Sequence, residues 1–450
     1  MKETKYQLIP FSFYDLSGME AHLEKMALGG WMLQRITNWG WYYRRTEPKS
    51  VHFTISYYPR ASEFEPEPTE EQLTFQDFCR HSGWHLAAAS GQMQVFYNEQ
   101  ADPVPLETDP ALEVAMVAKA SRRMLPVHIV LLLLGFCMGG SWCYSLFHDP
   151  IGLLASASSL FMGLCWLCLF LYAAADLTLY FTWLFRARRA ARQGEFLPTR
   201  GAHRLMQGIG VLTVVGLVCW LLTSRLPGSQ LLFLAILLGY AALLVSVNGT
   251  KDLLKRKKVS AKVNRAVTLT VDGVLALAIM GGISLGLLQS FRAGAFSIGE
   301  YLEAPVSAAE LLGTDSGDYT ISTSFDTSAL VTRQEFRQWS RTEPQLPGME
   351  LTVVKVHIPG LYGLCFSQLY HAYDVSPGLD ASGAVESPGT AYRQVDAALW
   401  GAQAAYQLYQ GNTPTNRYLL CWQNQLVELS ADWPLTPEQI AAAGAQLTSV

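Results

Sequence analysis

Charge is scarce in this chain. Asp, Glu, Lys and Arg make up 16% of its 450 residues, where a soluble globular protein carries about 25%. Cysteine is scarce too, eight residues in all, which excludes a small disulfide scaffold. The composition, half of it apolar, excludes a disordered chain and a collagen-like one. No P-loop, no Gly-x-Ser-x-Gly, no His-Glu-x-x-His and no dinucleotide fingerprint stands where its structural context supports it, so a transport ATPase has no footing. The opening MKETKYQLIP lacks an apolar core. No cleavable signal is therefore expected, and the first membrane span must do the targeting.

What charge there is lies unevenly. Residues 1–124 carry a net −4, residues 125–290 a net +9 and residues 291–450 a net −9. An apolar, basic middle between acidic ends speaks for a membrane and against nucleic acid, because an acidic lobe repels phosphates. A hydrocarbon core of about 30 Å takes about 20 mostly apolar helical residues. Five stretches qualify: Leu125 to Phe147, a second inside Ile151 to Phe185, Met206 to Thr223, Leu231 to Val247 and Ala266 to Gln289.

Basic residues near span ends stay on the cytoplasmic side. Lys119, Arg122 and Arg123 precede the first span. Arg186, Arg188, Arg189, Arg192, Arg200 and Arg204 separate the second from the third, and Lys251, Lys255, Arg256, Lys257, Lys258, Lys262 and Arg265 separate the fourth from the fifth. The alternate connections hold almost none: His148 and Asp149, Arg225, and Arg292. The expected N-terminus is cytoplasmic and the C-terminus extracytoplasmic in a bacterial cell membrane. The expected fold is a multi-domain membrane protein. It has a cytoplasmic α+β repeat domain (1–110), a basic juxtamembrane linker (111–124), a five-helix transmembrane bundle (125–290) and an extracytoplasmic α+β domain (291–450).

In the N-terminal domain, Ser17-Gly18-Met19-Glu20 has the pattern of a capping box opening a helix to about Leu28, which Gly29 and Gly30 stop. Strands are expected at Trp31 to Thr37, Trp41 to Arg45 and Val51 to Tyr58. A second capping box at Thr69 to Gln72 opens a helix ending at Ser82 and Gly83, with strands at Trp84 to Ala89 and Met93 to Tyr97. The halves repeat: Met26 aligns with Cys79, Gly30 with Gly83, Trp31 with Trp84, Leu33 with Leu86 and Tyr43 with Phe96. Gly30, Trp31, Gly83 and Trp84 are thus core construction, a helix closed by glycine and covered by a tryptophan.

LEKMALGGWMLQ, its companion FQDFCRHSGWHL and the strand ending FYNE resemble the bacterial family called domain of unknown function 2812. The resemblance covers roughly the first 100 residues. It implies a Firmicutes-type source, a multi-pass membrane protein and an association with transcription regulators of the PadR type. It supplies no catalytic residues.

After Ser297 the composition turns soluble. Strands are expected at Tyr319 to Phe325 and Leu351 to His357, a mobile loop at Ser376 to Gly389, and an Ala-rich helix at Asp396 to Tyr409. Arg417 to Trp422 pairs with Leu426 to Leu429, and a final helix opens with Thr436 as N-cap, Pro437 and Gln439. Cys365 and Cys421 face the oxidising side in this topology and form a candidate disulfide, although both sit in apolar strings where buried thiols pack as well.

Cys165 and Cys168 lie within the second span, where small packing residues are the default. Cys79, His81 and His85 have a ligand-like spacing with no second cluster to complete a tetrahedral site. Asp176 and Asp272 are acids inside spans, costly groups that mark ion pathways or reach interfacial water. Gly135-x-x-x-Gly139 and Gly282-x-x-x-Gly286 allow close helix contact within the bundle or between copies. No catalytic residue, cofactor or metal is assigned. The expected function is non-enzymatic regulation or signal relay through the bilayer, with a PadR-type regulator or transporter subunits as partners. The alternatives are an ion-coupled permease using Asp176 and Asp272, and a membrane hydrolase with dispersed catalytic groups.

Overall fold

A computed structural model describes every residue except 1–2, 9–10, 38–39, 59–60, 123, 200, 202, 224–226, 293–302, 342–344, 377, 380–384 and 449–450. Three of the flank charges, Arg123, Arg200 and Arg225, lie outside the described residues, as does Ser297.

The N-terminal region is built twice as strand, helix and hairpin. Strand β1 (Thr4–Gln7) precedes α1 (Leu16–Leu28) and the hairpin β2 (Trp31–Thr37) and β3 (Gly40–Arg45). Strand β4 (His52–Tyr57), α2 (Glu70–His81), β5 (His85–Ser90) and β6 (Met93–Asn98) follow in the same arrangement. The two antiparallel sheets are ordered β1-β3-β2 and β4-β6-β5. Gly30 at φ +76° and Gly83 at φ +86° sit between helix and hairpin, in the left-handed region that a side chain strains to enter. Each hairpin carries a bulge, between Leu33 and Arg35 in one and between Leu86 and Ala88 in the other. Tyr43 and Phe96 are fully buried on the partner strands and Trp84 is buried, while Trp31 is half-buried beneath the Arg45 guanidinium, 5.0 Å away. Leu86, aligned with the buried Leu33, is exposed.

The start of α1 differs from the expected capping box. Asp15, not Ser17, is the N-cap, accepting from the Gly18 amide at 3.1 Å, and Glu20 accepts instead from the Ile55 amide at 3.0 Å. At α2 the expected Thr69 cap is present, accepting from Gln72. The stretch read as a linker contains α3 (Pro110–Ser121), whose Val114, Val117 and Ala120 join the N-terminal core. Apolar residues at three- and four-residue spacing explain it.

Then come α4 (Leu125–His148), the short α5 (Pro150–Ala155), α6 (Ala157–Ala191), α7 (His203–Thr223), α8 (Pro227–Arg256) and α9 (Ala261–Arg292). All but α5 are long and apolar enough to cross a membrane. At most 28% of the most apolar window of any of them is buried within the chain, so their side chains fit lipid as surroundings.

The C-terminal region contains α10 (Ala308–Leu312), β7 (Tyr319–Thr327), β8 (Val331–Ser340), β9 (Met349–Val356), α11 (Tyr362–His371), β10 (Gly378–Leu379), β11 (Val385–Ser387) and β12 (Thr390–Val395). Strands β13 (Ala404–Gln410), β14 (Thr413–Cys421) and β15 (Gln425–Ala431) and helix α12 (Pro437–Thr448) complete it. Seven strands form one antiparallel sheet in the order β12-β13-β14-β15-β9-β8-β7. Its central strands are buried on both faces. On β15, Val427 and Leu429 point to a cluster shared with α10 and α12, whereas Leu426 points to one shared with α11 and α5.

The expected helix at Asp396 to Tyr409 is overturned. A single 3-10 turn, Ala398–Trp400, ends at Gly401 with φ +60°, and β13 follows, paired with both β12 and β14. Local alanine propensity loses to a strand position with partners on both sides and Ala405 and Leu408 turned into the core. Within the expected loop Ser376 to Gly389, β10 pairs with β11, and residues 377 and 380–384 lie outside the described residues. The capping box of α12 forms reciprocally: the Thr436 amide donates to Gln439 Oε1 at 3.0 Å and the Gln439 amide to Thr436 Oγ1 at 3.3 Å.

Contacts divide the chain into two units. One comprises Met1–Cys137, Cys165–Val215 and Gly228–Ala293, the other Met138–Leu164, Gly216–Pro227 and Gly294–Val450. Helices α4 and α6 each give one stretch to each unit.

Candidate functional site

Within the first unit, the segment between β1 and α1 meets α4 and α6 at a buried acid. Asp176 on α6 is 3% exposed. The Ser12 hydroxyl donates to its Oδ1, and His128 Nε2, one turn into α4, lies 3.3 Å from its Oδ2. His128 Nδ1 faces the Met124 carbonyl at 3.0 Å. A carbonyl only accepts, so Nδ1 donates to it and Nε2 is the nitrogen turned to the carboxyl.

Aromatic rings wall this node. Phe13 lies 6.4 Å from His128 and 5.7 Å from Tyr180, and Tyr14 lies 5.4 Å from Tyr180. Burial first, and then the Asp176 charge, push the Tyr14 hydroxyl well above its ordinary range, so it stays protonated. Tyr57 donates to the Phe13 carbonyl and pins the segment from behind.

A second anchor is centred on Asp15, 1% exposed. Thr199, between α6 and α7, receives the Ser17 amide on Oγ1 at 2.9 Å, donates to Asp15 Oδ1 at 3.5 Å, and sends its own amide to Ser17 Oγ at 3.2 Å. Burial raises the Asp15 carboxyl, and hydrogen bonds from Gly201 and Gly18 pull it back. A Cβ at Gly201 would stand 2.3 Å from Asp15 Oδ2, so the approach requires glycine.

A third anchor holds α8 and α9. Lys251 pairs with Glu63 at 3.1 Å. Asn264, fully buried, donates to the carbonyls of Phe64 and Lys251, each at 3.2 Å, and Thr268 donates to Asn264 Oδ1 at 3.2 Å. Asp272 continues this four-residue spacing along α9. Its Oδ1 is buried and has no partner among the described residues. The two intramembrane acids named from sequence therefore stand in different surroundings, one enclosed by donors and one with an oxygen unpaired.

The other sequence candidates are structural in placement. Cys365 and Cys421 are buried free thiols of one cluster, each pushed up to about 11 by burial, with the Tyr362 hydroxyl beside Cys421. Cys79 is buried against Trp84 and Phe96 while His81 and His85 are exposed. Cys168 is buried and Cys165 half-buried in α6. Gly135 packs on the Phe170 backbone, where a Cβ would meet atoms at 2.8 Å, whereas Gly282 and Gly286 face open space.

Sequence reading missed Ser12, His128, Thr199, Lys251 and Asn264. His128 had a signal, a lone imidazole within PVHIVLLLL, and Asn264 had another, its spacing of four from Thr268 and Asp272. Ser12 and Thr199 had none.

No curated protein and no solved structure matches the chain. A family model described as "Protein of unknown function (DUF2812)" matches residues 15–129, from the cap of α1 through His128. Over that stretch, as its Gly-Trp segments suggest, the chain is similar to the DUF2812 family.

Proposed function

We propose that this chain is a non-enzymatic regulatory protein of a bacterial membrane, with the DUF2812-like domain in the cytoplasm, the seven-stranded domain outside, and the first two spans relaying the state of one to the other. The observation that carries the reading is the node of Ser12, Asp176 and His128. It joins the domain to α4 and α6 through a buried hydrogen bond and an ion-pair contact rather than through a bare tether. Both helices also enter the second unit, where α5 between them is held by α11 and by the turn between β7 and β8: Gln368 Oε1 accepts from the Ile151 amide at 2.8 Å and the Ser328 hydroxyl donates to the Leu154 carbonyl at 2.5 Å. The excess of Lys and Arg on alternate connections supports the orientation. The shared strand order, the paired glycines and the bulges at Gln34 and Ala87 support reading the N-terminal modules as a duplication.

The test is hydrogen exchange on the full chain in lipid nanodiscs. Loosening α5 with Gln368→Ala and Ser328→Ala raises amide exchange over residues 11–17 several-fold if the spans relay. Unchanged exchange there, with α5 itself loosened, contradicts the reading. Proximity labelling from the N-terminal domain then separates partners, a PadR-type regulator or transporter subunits.

An ion-coupled carrier is the second reading, favoured by the unpaired oxygen of Asp272. Loss of ion-dependent uptake in an Asp176→Asn, Asp272→Asn variant supports it, and unchanged regulation with both acids neutralised sets it aside.

A further inference from the structure

Beside α1 and the start of α7 lies a pocket of about 400 Å³ whose polar lining is His22, Lys25, His203, Arg204, Gln7 and Gln207, with Leu8 and Phe11 as its apolar wall. No carboxylate lines it among the described residues. Some basic groups of the same unit are matched, Lys251 with Glu63 and Lys258 with Glu67. Lys25 and Arg204 have no carboxylate within ion-pair distance among the described residues, and both are exposed at the pocket rim. The Phe11 ring sits between the two imidazoles, 5.6 Å from His22 and 5.5 Å from His203, and the Tyr43 hydroxyl holds His22 Nε2 at 3.1 Å. The His22 ring is thus held by a hydrogen bond as well as by ring contacts. α7 begins at His203 and directs the amide end of a 21-residue helix at the same region.

From this geometry we infer that the pocket is a phosphoryl-anion site, taking either the headgroup of an anionic lipid or a free phosphate group. Four nitrogen-bearing side chains converge with no carboxylate among the described lining residues, two glutamines add neutral donors, and a helix N-terminus supplies partial positive charge. A tetrahedral phosphoryl oxyanion satisfies all of these together, and Arg204 and Lys25 offer the charged hydrogen bonds such a group takes best. Burial, and then repulsion from Lys5, Lys25 and His203, lower the basicity of His22 in the absence of such an anion. The inference does not depend on the relay proposed above, since it concerns what the first unit binds.

The experiment uses the full-length protein purified in a neutral detergent. Inorganic phosphate is titrated with 31P NMR line broadening as the readout. In parallel, native mass spectrometry compares retained lipid after reconstitution into phosphatidylglycerol and into phosphatidylcholine nanodiscs. The proposal predicts binding in at least one arm, weakened at least tenfold by Lys25→Gln with Arg204→Gln, retained by Lys25→Arg with Arg204→Lys, and unaffected by Lys262→Gln. Phosphate binding identifies a free-phosphate site, and phosphatidylglycerol retention without it identifies a headgroup site. Binding in neither arm, or binding that the double Gln variant leaves intact, overturns the inference. Both substituted residues are exposed, and the conservative pair controls for folding.

Discussion

In the first unit, Ser12, Asp15, Glu63 and the Phe64 carbonyl reach onto α6, the segment before α7, α8 and α9 through hydrogen bonds and ion pairs. In the second, Ile151, Leu153, Leu154 and Ala155 of α5 sink into an apolar cluster with Val331, Val354 and Leu426, and the polar contacts at Ile151 and Leu154 are between neutral groups. Apolar burial is non-directional and nearly indifferent to pH and salt. A network of charged and hydrogen-bonding groups is geometrically exacting and costly when half-broken. The two attachments therefore differ in kind. One is apolar burial of a helix against a sheet, and the other is a joint of charged and hydrogen-bonding groups.

The largest expected effect tests that joint. His128→Leu leaves Asp176 buried without its ring partner and costs about 3–5 kcal/mol of first-unit stability, while adding Asp176→Leu recovers most of it, a non-additivity that a double-mutant cycle in thermal unfolding reads directly. Next comes Leu154→Ala in the second unit, expected to cost about 2–4 kcal/mol through the cavity it leaves, equally at pH 5.5 and pH 8. A pH-dependent loss there would erase the distinction between the two attachments.

Glu20 sharpens the contrast. Burial, with Glu113 and Glu24 nearby, pushes its carboxyl up to about 7 from 4.5. The folded chain then holds this proton more tightly than the unfolded one. The first unit accordingly loses stability as pH rises from about 4.5 through about 7, and Glu20→Gln flattens that part of its melting curve between pH 5.5 and pH 8. A smaller effect is expected at Thr436→Ala, which removes the α12 cap and costs about 1 kcal/mol. The smallest is Glu67→Gln, which breaks the exposed pair with Lys258 and leaves the melting temperature unchanged.

Much of this architecture was legible because strong local signals agreed with tertiary demand. Apolar runs of span length, glycines that stop α1 and α2, and the Thr436 to Gln439 box each work through the chain around them. The reading failed where tertiary context outvoted local preference. DAALWGAQAAYQLY favours helix by composition, yet its second half fills a slot between two strands. Ser17 and Glu20 have capping-box spacing, yet Thr199 claims the Ser17 hydroxyl and the Ile55 amide claims Glu20. Of the candidate site, Asp176 and Asp272 stand out from the sequence, as acids inside apolar spans. Ser12 and Thr199 acquire meaning from residues more than 160 positions away, and no local pattern encodes such partners.

The central claim is that lipid separates the DUF2812-like domain from the seven-stranded domain. A membrane-impermeant maleimide applied to cells carrying either Glu47→Cys or Thr413→Cys tests it most directly, both positions being exposed. The account predicts labelling of the added cysteine at 413 in intact cells and at 47 only after permeabilisation. Labelling of both, or of neither, before permeabilisation would contradict it.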